Sequence, residues 1–313
     1  MSLCLCGERS YSKQSGVAIL VVLLIIALAT SLAVVITTRQ GLWQQQIESQ
    51  FERAQARQVG AAAIDWTRAV LADDARTTST DNDMEIWAQR LPAMPVENGE
   101  VVGVIVDQQG LFNLNNLVRN GVSSGSDVAQ FKKLLAMLGL PAELADTLAD
   151  WMDADNEARP GGAEDGYYFS LPQPYRTAGQ PLTTVDELAL VKGYSGGVIA
   201  QLRPFVSALP QPGPINVNFA PPEVLVAVVD NLSLADARAL VQQRNGHPFS
   251  DIADFRQRLP RGGLGVTDSN VTTSSQYFMV TGRANIGNAQ IATQALLQRA
   301  ETTWPNVIWQ RVQ

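Results

Sequence analysis

From Val17 to Thr38 the chain runs through 22 residues without a charge. As one helix this run is about 33 Å long, enough to cross a hydrocarbon layer of about 30 Å. It lacks the small-residue end of a discarded signal peptide and passes straight into RQGLWQQQIESQFERAQARQVGAAAIDWTRAVL. In that stretch Ile47, Phe51, Ala54, Ala62, Trp66 and Ala69 recur at helical spacing. The pattern predicts one long helix over 17–72, membrane-spanning over 17–38 and amphipathic afterwards. Arg9 and Lys13 precede the run, which favours a cytoplasmic amino end and a translocated remainder. An ordinary signal anchor is the plain alternative.

A polar link, ADDARTTSTDND, leads to a short helical piece near Met84–Gln89. Val101–Asp107 alternates and is rich in branched residues, which predicts a strand. Asn113 and Asn115 in LFNLNNL suit a turn or helix cap. DVAQFKKLLAMLGL and PAELADTLADWMDADNEARPGGAEDGYYF read as helices, each with leucines at helical spacing, with a break at Leu140-Pro141. A weak internal echo joins LTTVDELALVKGYSGGVIAQLRPFVSAL to INVNFAPPEVLVAVVDNLSLADARALVQQRNGHPFSDIADF, each a turn, a short helix, a polar turn and a second helix. QYFMVTGRANIGNAQIATQALLQRA reads as a β-hairpin within Gln276–Arg299, and WPNVIWQRV as an edge strand. The expected fold is α+β: a sheet domain over 73–112 and 276–313, interrupted by a helical domain over 113–275. A strand near 205–209 is expected to return to the sheet.

Charge narrows the function. The net charge is −7, and beyond residue 16 there are 21 basic and 29 acidic residues. Such a surface repels phosphate. Cys4 and Cys6 are the only cysteines and His247 the only histidine, so disulfide staples and histidine-based metal sites are not expected. The helical echo resembles helix-hairpin-helix units of DNA-binding competence proteins, but its turn DNLSLAD is acidic and lacks the glycine that admits a phosphate backbone. A membrane-anchored DNA-binding protein therefore stands only as the alternative function, and no nucleic-acid partner is expected.

The densest chemistry lies in DWMDADNEARPGGAEDGYY, where Asp150, Asp153, Asp155, Glu157, Glu164 and Asp165 stand within sixteen residues. ARPGG between the two groups is a tight reversal able to fold the second back on the first. Hard oxygen ligands in a loop suit Ca²⁺, though the spacing is not that of an EF-hand; a solvated acidic loop is the other reading. An enzyme using these acids would need basic or aromatic companions, and Arg159 is the only base in the cluster. No catalytic residues are assigned.

Gly16 directly before the apolar run, behind a short basic leader, resembles the leader of type IV pilins and type II secretion pseudopilins. That resemblance implies a leader over 1–16, cleavage by a prepilin peptidase between Gly16 and Val17, and N-methylation of Val17. Most members carry Glu as the fifth mature residue, where this chain has Val21. A carboxylate in lipid is kept only where it has a partner, so its loss resembles the K-type minor pseudopilin, assigned to the filament tip. The helical insertion and the D-W-x-D-x-D motif at Asp150–Asp155 strengthen that resemblance. It implies a pseudopilin fold (long helix on an antiparallel sheet) with an all-α insertion of two SAM-like units. It also implies calcium held by Asp153, Asp155, Glu164 and Asp165, with Asp150 as a weaker ligand and Tyr167 and Tyr168 packed beneath. The implied setting is a single-pass protein of the bacterial inner membrane with a periplasmic globular part. Implied partners are I-type and J-type minor pseudopilins, other pseudopilins, the inner-membrane assembly platform, exoprotein substrates and the secretin.

Overall fold

The computed structural model describes residues 15–90, 92–260, 265–266, 269–300 and 304–312. The first helix, α1, spans Ser15–Thr77, longer at its carboxyl end than the periodicity predicts. Gly16 and Val17 fall in its first turn, while the leader up to residue 14 lies outside the described residues.

The second half of α1 lies on a five-stranded antiparallel sheet of order β1-β2-β9-β10-β11. Its strands are β1 (Met94–Val96), β2 (Gly99–Asp107), β9 (Tyr277–Ile286), β10 (Ala289–Gln298) and β11 (Asn306–Val312). The hairpin and the edge strand form where alternation places them; the short β1 has no sequence signal of its own. The buried face of α1 is not the predicted stripe. Ala56, Ile64, Leu71 and Ala72 are buried, whereas Ile47, Phe51 and Trp66 are exposed. The reason is close approach: a Cβ on Gly60 would lie 2.7 Å from Thr293 Oγ1, so small residues line the seam. Ile64 and Leu71 then reach Ile105, Phe278, Val280 and Leu297, with the Trp87 ring edge-on to Phe278 at 5.0 Å.

Between β2 and β9 lies the helical insertion: short strands β3 (Phe112–Asn113), β4 (Val118–Arg119), β5 (Val122–Ser123), β6 (Val206–Ser207), β7 (Ile215–Asn216) and β8 (Val271–Thr272), with helices α2 (Gly125–Met137), α3 (Glu143–Met152), α4 (Asp165–Phe169), α5 (Gly196–Leu202), α6 (Pro222–Val228), α7 (Leu234–Arg244) and α8 (Ile252–Arg258). The strand expected near 205–209 exists as β6, but it pairs in parallel with β3 and does not join the large sheet.

The insertion is a true repeat, in a different register from the echo in the sequence. Residues 112–207 and 215–272 each open on a strand carrying Asn-x-Asn and close on a strand parallel to it. In each, the first Asn caps the second: Asn115 N donates to Asn113 Oδ1 and Asn218 N to Asn216 Oδ1. The second Asn then reaches a distant backbone. Asn115 exchanges bonds of 2.8 Å with both the N–H and the C=O of Leu182, and Asn218 does so with Phe249 at 2.8 and 3.0 Å. Leu182 and Phe249 each follow a proline and precede a capped turn, Thr184 with Glu187 and Asp251 with Asp254. PLTTVDEL therefore matches PFSDIADF, not the INVNFA segment. The match was hidden because residues 153–180, inserted in the first repeat, stand where the second has only residues 245–247. That inserted segment is the acidic loop.

Arg299, at the end of β10, joins sheet and insertion. Its guanidinium bonds Asp74 (2.7 Å), both oxygens of Asp81 (2.6 Å) and Ser275 O (2.9 Å). Asn216 Nδ2 donates to Asp81 O and Ser275 Oγ from the second repeat.

Candidate metal centre

Helix α3 delivers the first acidic group. Asp150 lies in its last turn and the extended Asp153 caps it, so the helical segment expected to run on through residue 169 stops at Met152. Both carboxylates are fully buried, because Trp151 and Tyr168 pack edge-on at 5.1 Å and seal the floor. Asp150 accepts backbone N–H bonds from Arg159 (3.1 Å) and Ala163 (2.9 Å). The reversal between them depends on two glycines. Gly161 sits at φ +88°, and a Cβ on Gly162 would overlap Asp150 Oδ2 at 1.8 Å. With that turn closed, Glu164 comes back beside Asp153.

The structure brings Asp153, Asp155 and Glu164 together, each offering an oxygen within 4.8 Å of the others. Oxygens on opposite sides of one calcium ion are about 4.8 Å apart. Asp153 Oδ1 and both oxygens of Glu164 are buried without a hydrogen-bond partner among the described residues. Unpaired buried carboxylate oxygens are costly in a folded protein, so this donor set fits a cation. Burial, then the charges of Asp150, Asp153 and Asp155, push the Glu164 carboxyl up to about 7. Burial likewise raises Asp153, against the opposing pull of Arg159.

Two expected ligands stand elsewhere. Asp165 begins α4 and turns away; its Oδ1 accepts from Thr177 N (3.0 Å) and Oγ1 (3.1 Å). Asp150 lies behind the site, paired with Arg159. Tyr168 is buried beneath the loop, but Tyr167 is exposed, with Lys192 Nζ 4.9 Å from its ring centre. Arg159, noted in the sequence only as a lone base, bonds Asp150 and Asp153 (2.8 Å) through one nitrogen.

A second acidic group, Asp74, Asp81 and Glu85, also clusters. There Arg299 takes both oxygens of Asp81 and one of Asp74, so a cation is already built in. The group is a structural lock.

The first half of α1 carries a continuous apolar surface. Val17 to Ile36 is exposed throughout, and Leu42, Trp43, Ile47, Phe51 and Trp66 are exposed farther along the helix. Isolated apolar side chains are ordinary, but an exposed apolar run of this length marks contact with lipid or other helices.

Comparison with known proteins agrees with this architecture. Two family models, both described as type II secretion system protein K, match residues 110–211 and 215–274. Their limits bracket the two repeats. The type II secretion system protein K of Pectobacterium carotovorum is 33% identical over 309 residues, covering 91% of this chain and 93% of that protein. Its counterpart from Pseudomonas aeruginosa is 33% identical over 300 residues, covering 92% and 90%. A chain in the crystal structure of the GspK-GspI-GspJ complex of enterotoxigenic Escherichia coli superposes with a TM-score of 0.75 at 25% identity, over 86% of this chain and 99% of that one.

Proposed function

This chain belongs to the type II secretion system protein K family, and on that premise we propose that it works as the minor pseudopilin at the tip of the secretion pseudopilus. It starts or caps the filament and supports export of folded proteins. The observation that carries this reading is the superposition of 86% of the chain on a chain of the solved GspK-GspI-GspJ complex. By that likeness, the I-type and J-type minor pseudopilins are its immediate partners. The DNA-binding alternative has no support in these relatives.

The work is assembly. The apolar half of α1 anchors the protein in the inner membrane, with the globular part periplasmic. After cleavage between Gly16 and Val17 by a prepilin peptidase, with methylation of Val17, the same helix packs against neighbouring pseudopilin helices. The exposed Trp43, Ile47, Phe51 and Trp66 supply that contact in the periplasmic half. Val21 leaves this helix without the buried carboxylate that would bind the amine of a subunit above it, and the bulk of the two repeats, which we read as SAM-like packing units, covers the position. Contacts with the assembly platform, exoproteins and secretin belong to the same reading.

For the acidic loop we propose calcium, held by Asp153, Asp155 and Glu164. When bound, the ion supplies two positive charges to carboxylate oxygens that otherwise face one another. The protein's own residues do the rest: Gly161 and Gly162 close the turn, and Asp150 holds its backbone.

Co-expression with I-type and J-type pseudopilins tests the assignment. A stable one-to-one-to-one complex that Phe51→Glu and Trp66→Glu weaken is the expected result. Failure of all three to associate overturns it.

A further inference from the structure

We propose that Arg159 is the resident counter-charge of the acidic site, a part that sets its calcium affinity and lets the unloaded loop stay folded; this rests on the calcium reading. The two acidic clusters of the fold make the case by contrast. Arg299 bonds both oxygens of Asp81 and one of Asp74, which leaves one orphaned oxygen in its cluster among the described residues, Glu85 Oε1. Arg159 neutralises its cluster only in part. One guanidinium nitrogen bridges Asp150 Oδ1 and Asp153 Oδ2, and the backbone N–H of the same residue holds Asp150 Oδ2. Left over are Asp153 Oδ1 and both Glu164 oxygens, buried and without partners among the described residues.

The division of oxygens has a consequence. Asp150, Asp153, Asp155 and Glu164 would otherwise place four negative charges around one loop. With Arg159 in place the excess is three, and Asp150, which lies behind the site, is fully paired. Pinning Asp153 Oδ2 also aims Oδ1 at Glu164. Removing a buried ion's partner is strongly destabilising, so the unloaded loop depends on Arg159. A cation entering beside Arg159 meets a like charge, so the same arginine weakens calcium binding. Stability of the empty site and affinity for the ion are therefore set against each other, as linkage between two ligands of one site requires.

Arg159→Gln keeps a hydrogen-bond donor and removes the charge; Arg159→Lys keeps the charge and loses the planar bridge. Full-length protein in detergent is compared by calorimetric calcium titration and by melting in EDTA. The Gln variant is expected to bind calcium at least about ten-fold more tightly, since even water-like screening of a nearby unit charge amounts to that factor. Its calcium-free melting point is expected to fall by about 5 °C, while the Lys variant stays near wild type in both. Unchanged affinity and melting in the Gln variant would overturn the proposal, and weaker binding would show a positioning role instead of a counter-charge. Wild-type protein that takes up no calcium would sink the calcium reading and the affinity half of the proposal, leaving the EDTA melt to decide the stability half.

Discussion

Glu164→Gln should make the calcium-free protein more stable, although it removes a native side chain from a buried site. Both Glu164 oxygens are buried without partners, and the carboxyl is pushed from 4.5 up to about 7, first by burial and then by Asp150, Asp153 and Asp155. A carboxyl whose folded pKa is raised favours folding fully below its unfolded pKa and loses that contribution as pH rises through the folded one. The window here runs from about pH 4.5 to about 7. At pH 8 the ionised group destabilises the empty loop by about 3 kcal/mol, at 1.36 kcal/mol per pKa unit. Glutamine has the same shape and no charge to keep buried. For a unit of this size the gain corresponds to a rise of about 5–10 °C in melting temperature. Calcium should reverse the order once it is at about a thousand times its dissociation constant. There the wild type gains about 4 kcal/mol, more than the roughly 3 kcal/mol lost to the buried charge, while the variant gains far less. Melting in EDTA and in millimolar calcium, at pH 5 and pH 8, reads all four values. A variant less stable than wild type in EDTA at pH 8 would refute the reasoning.

The repeat gives a second expectation. Asn115→Ala strands the N–H and C=O of Leu182 and the C=O of Leu209, all now bonded at 2.8 Å; a loss of about 3–5 kcal/mol in urea denaturation should follow, and more than for Asn218→Ala. Arg299→Met leaves the buried Asp81 and the part-buried Asp74 without their counter-charge; it should cost about 3–5 kcal/mol, seen as loss of protease resistance at the junction of sheet and insertion. Co-expression with prepilin peptidase should yield a mature chain beginning at methylated Val17 by mass spectrometry; a cut beyond Ala33 would contradict the pilin-like leader.

Local periodicity explains what could be read from the sequence. The long helix, the hairpin of β9 and β10, and the edge strand each repeat a pattern within a few residues, so each was legible. The buried face of α1 was not, because contact with the sheet at Gly60 and Ala56 is made by small residues that carry little hydrophobic signal, while the larger Ile47, Phe51 and Trp66 point outward. The repeat was misaligned because a loop is inserted in only one copy; the paired Asn-x-Asn motifs were the signal that finds it. In the acidic loop, spacing identified the carboxylates but not where they point. Asp165 turns toward Thr177 because a new helix starts there, and Arg159 pairs with Asp150 through a turn that only glycines permit.

Placement within the filament tests the central claim most directly. Antibody-gold labelling of pseudopili assembled with this chain should show label at one end only. Label distributed along the shaft would contradict the assignment to the tip.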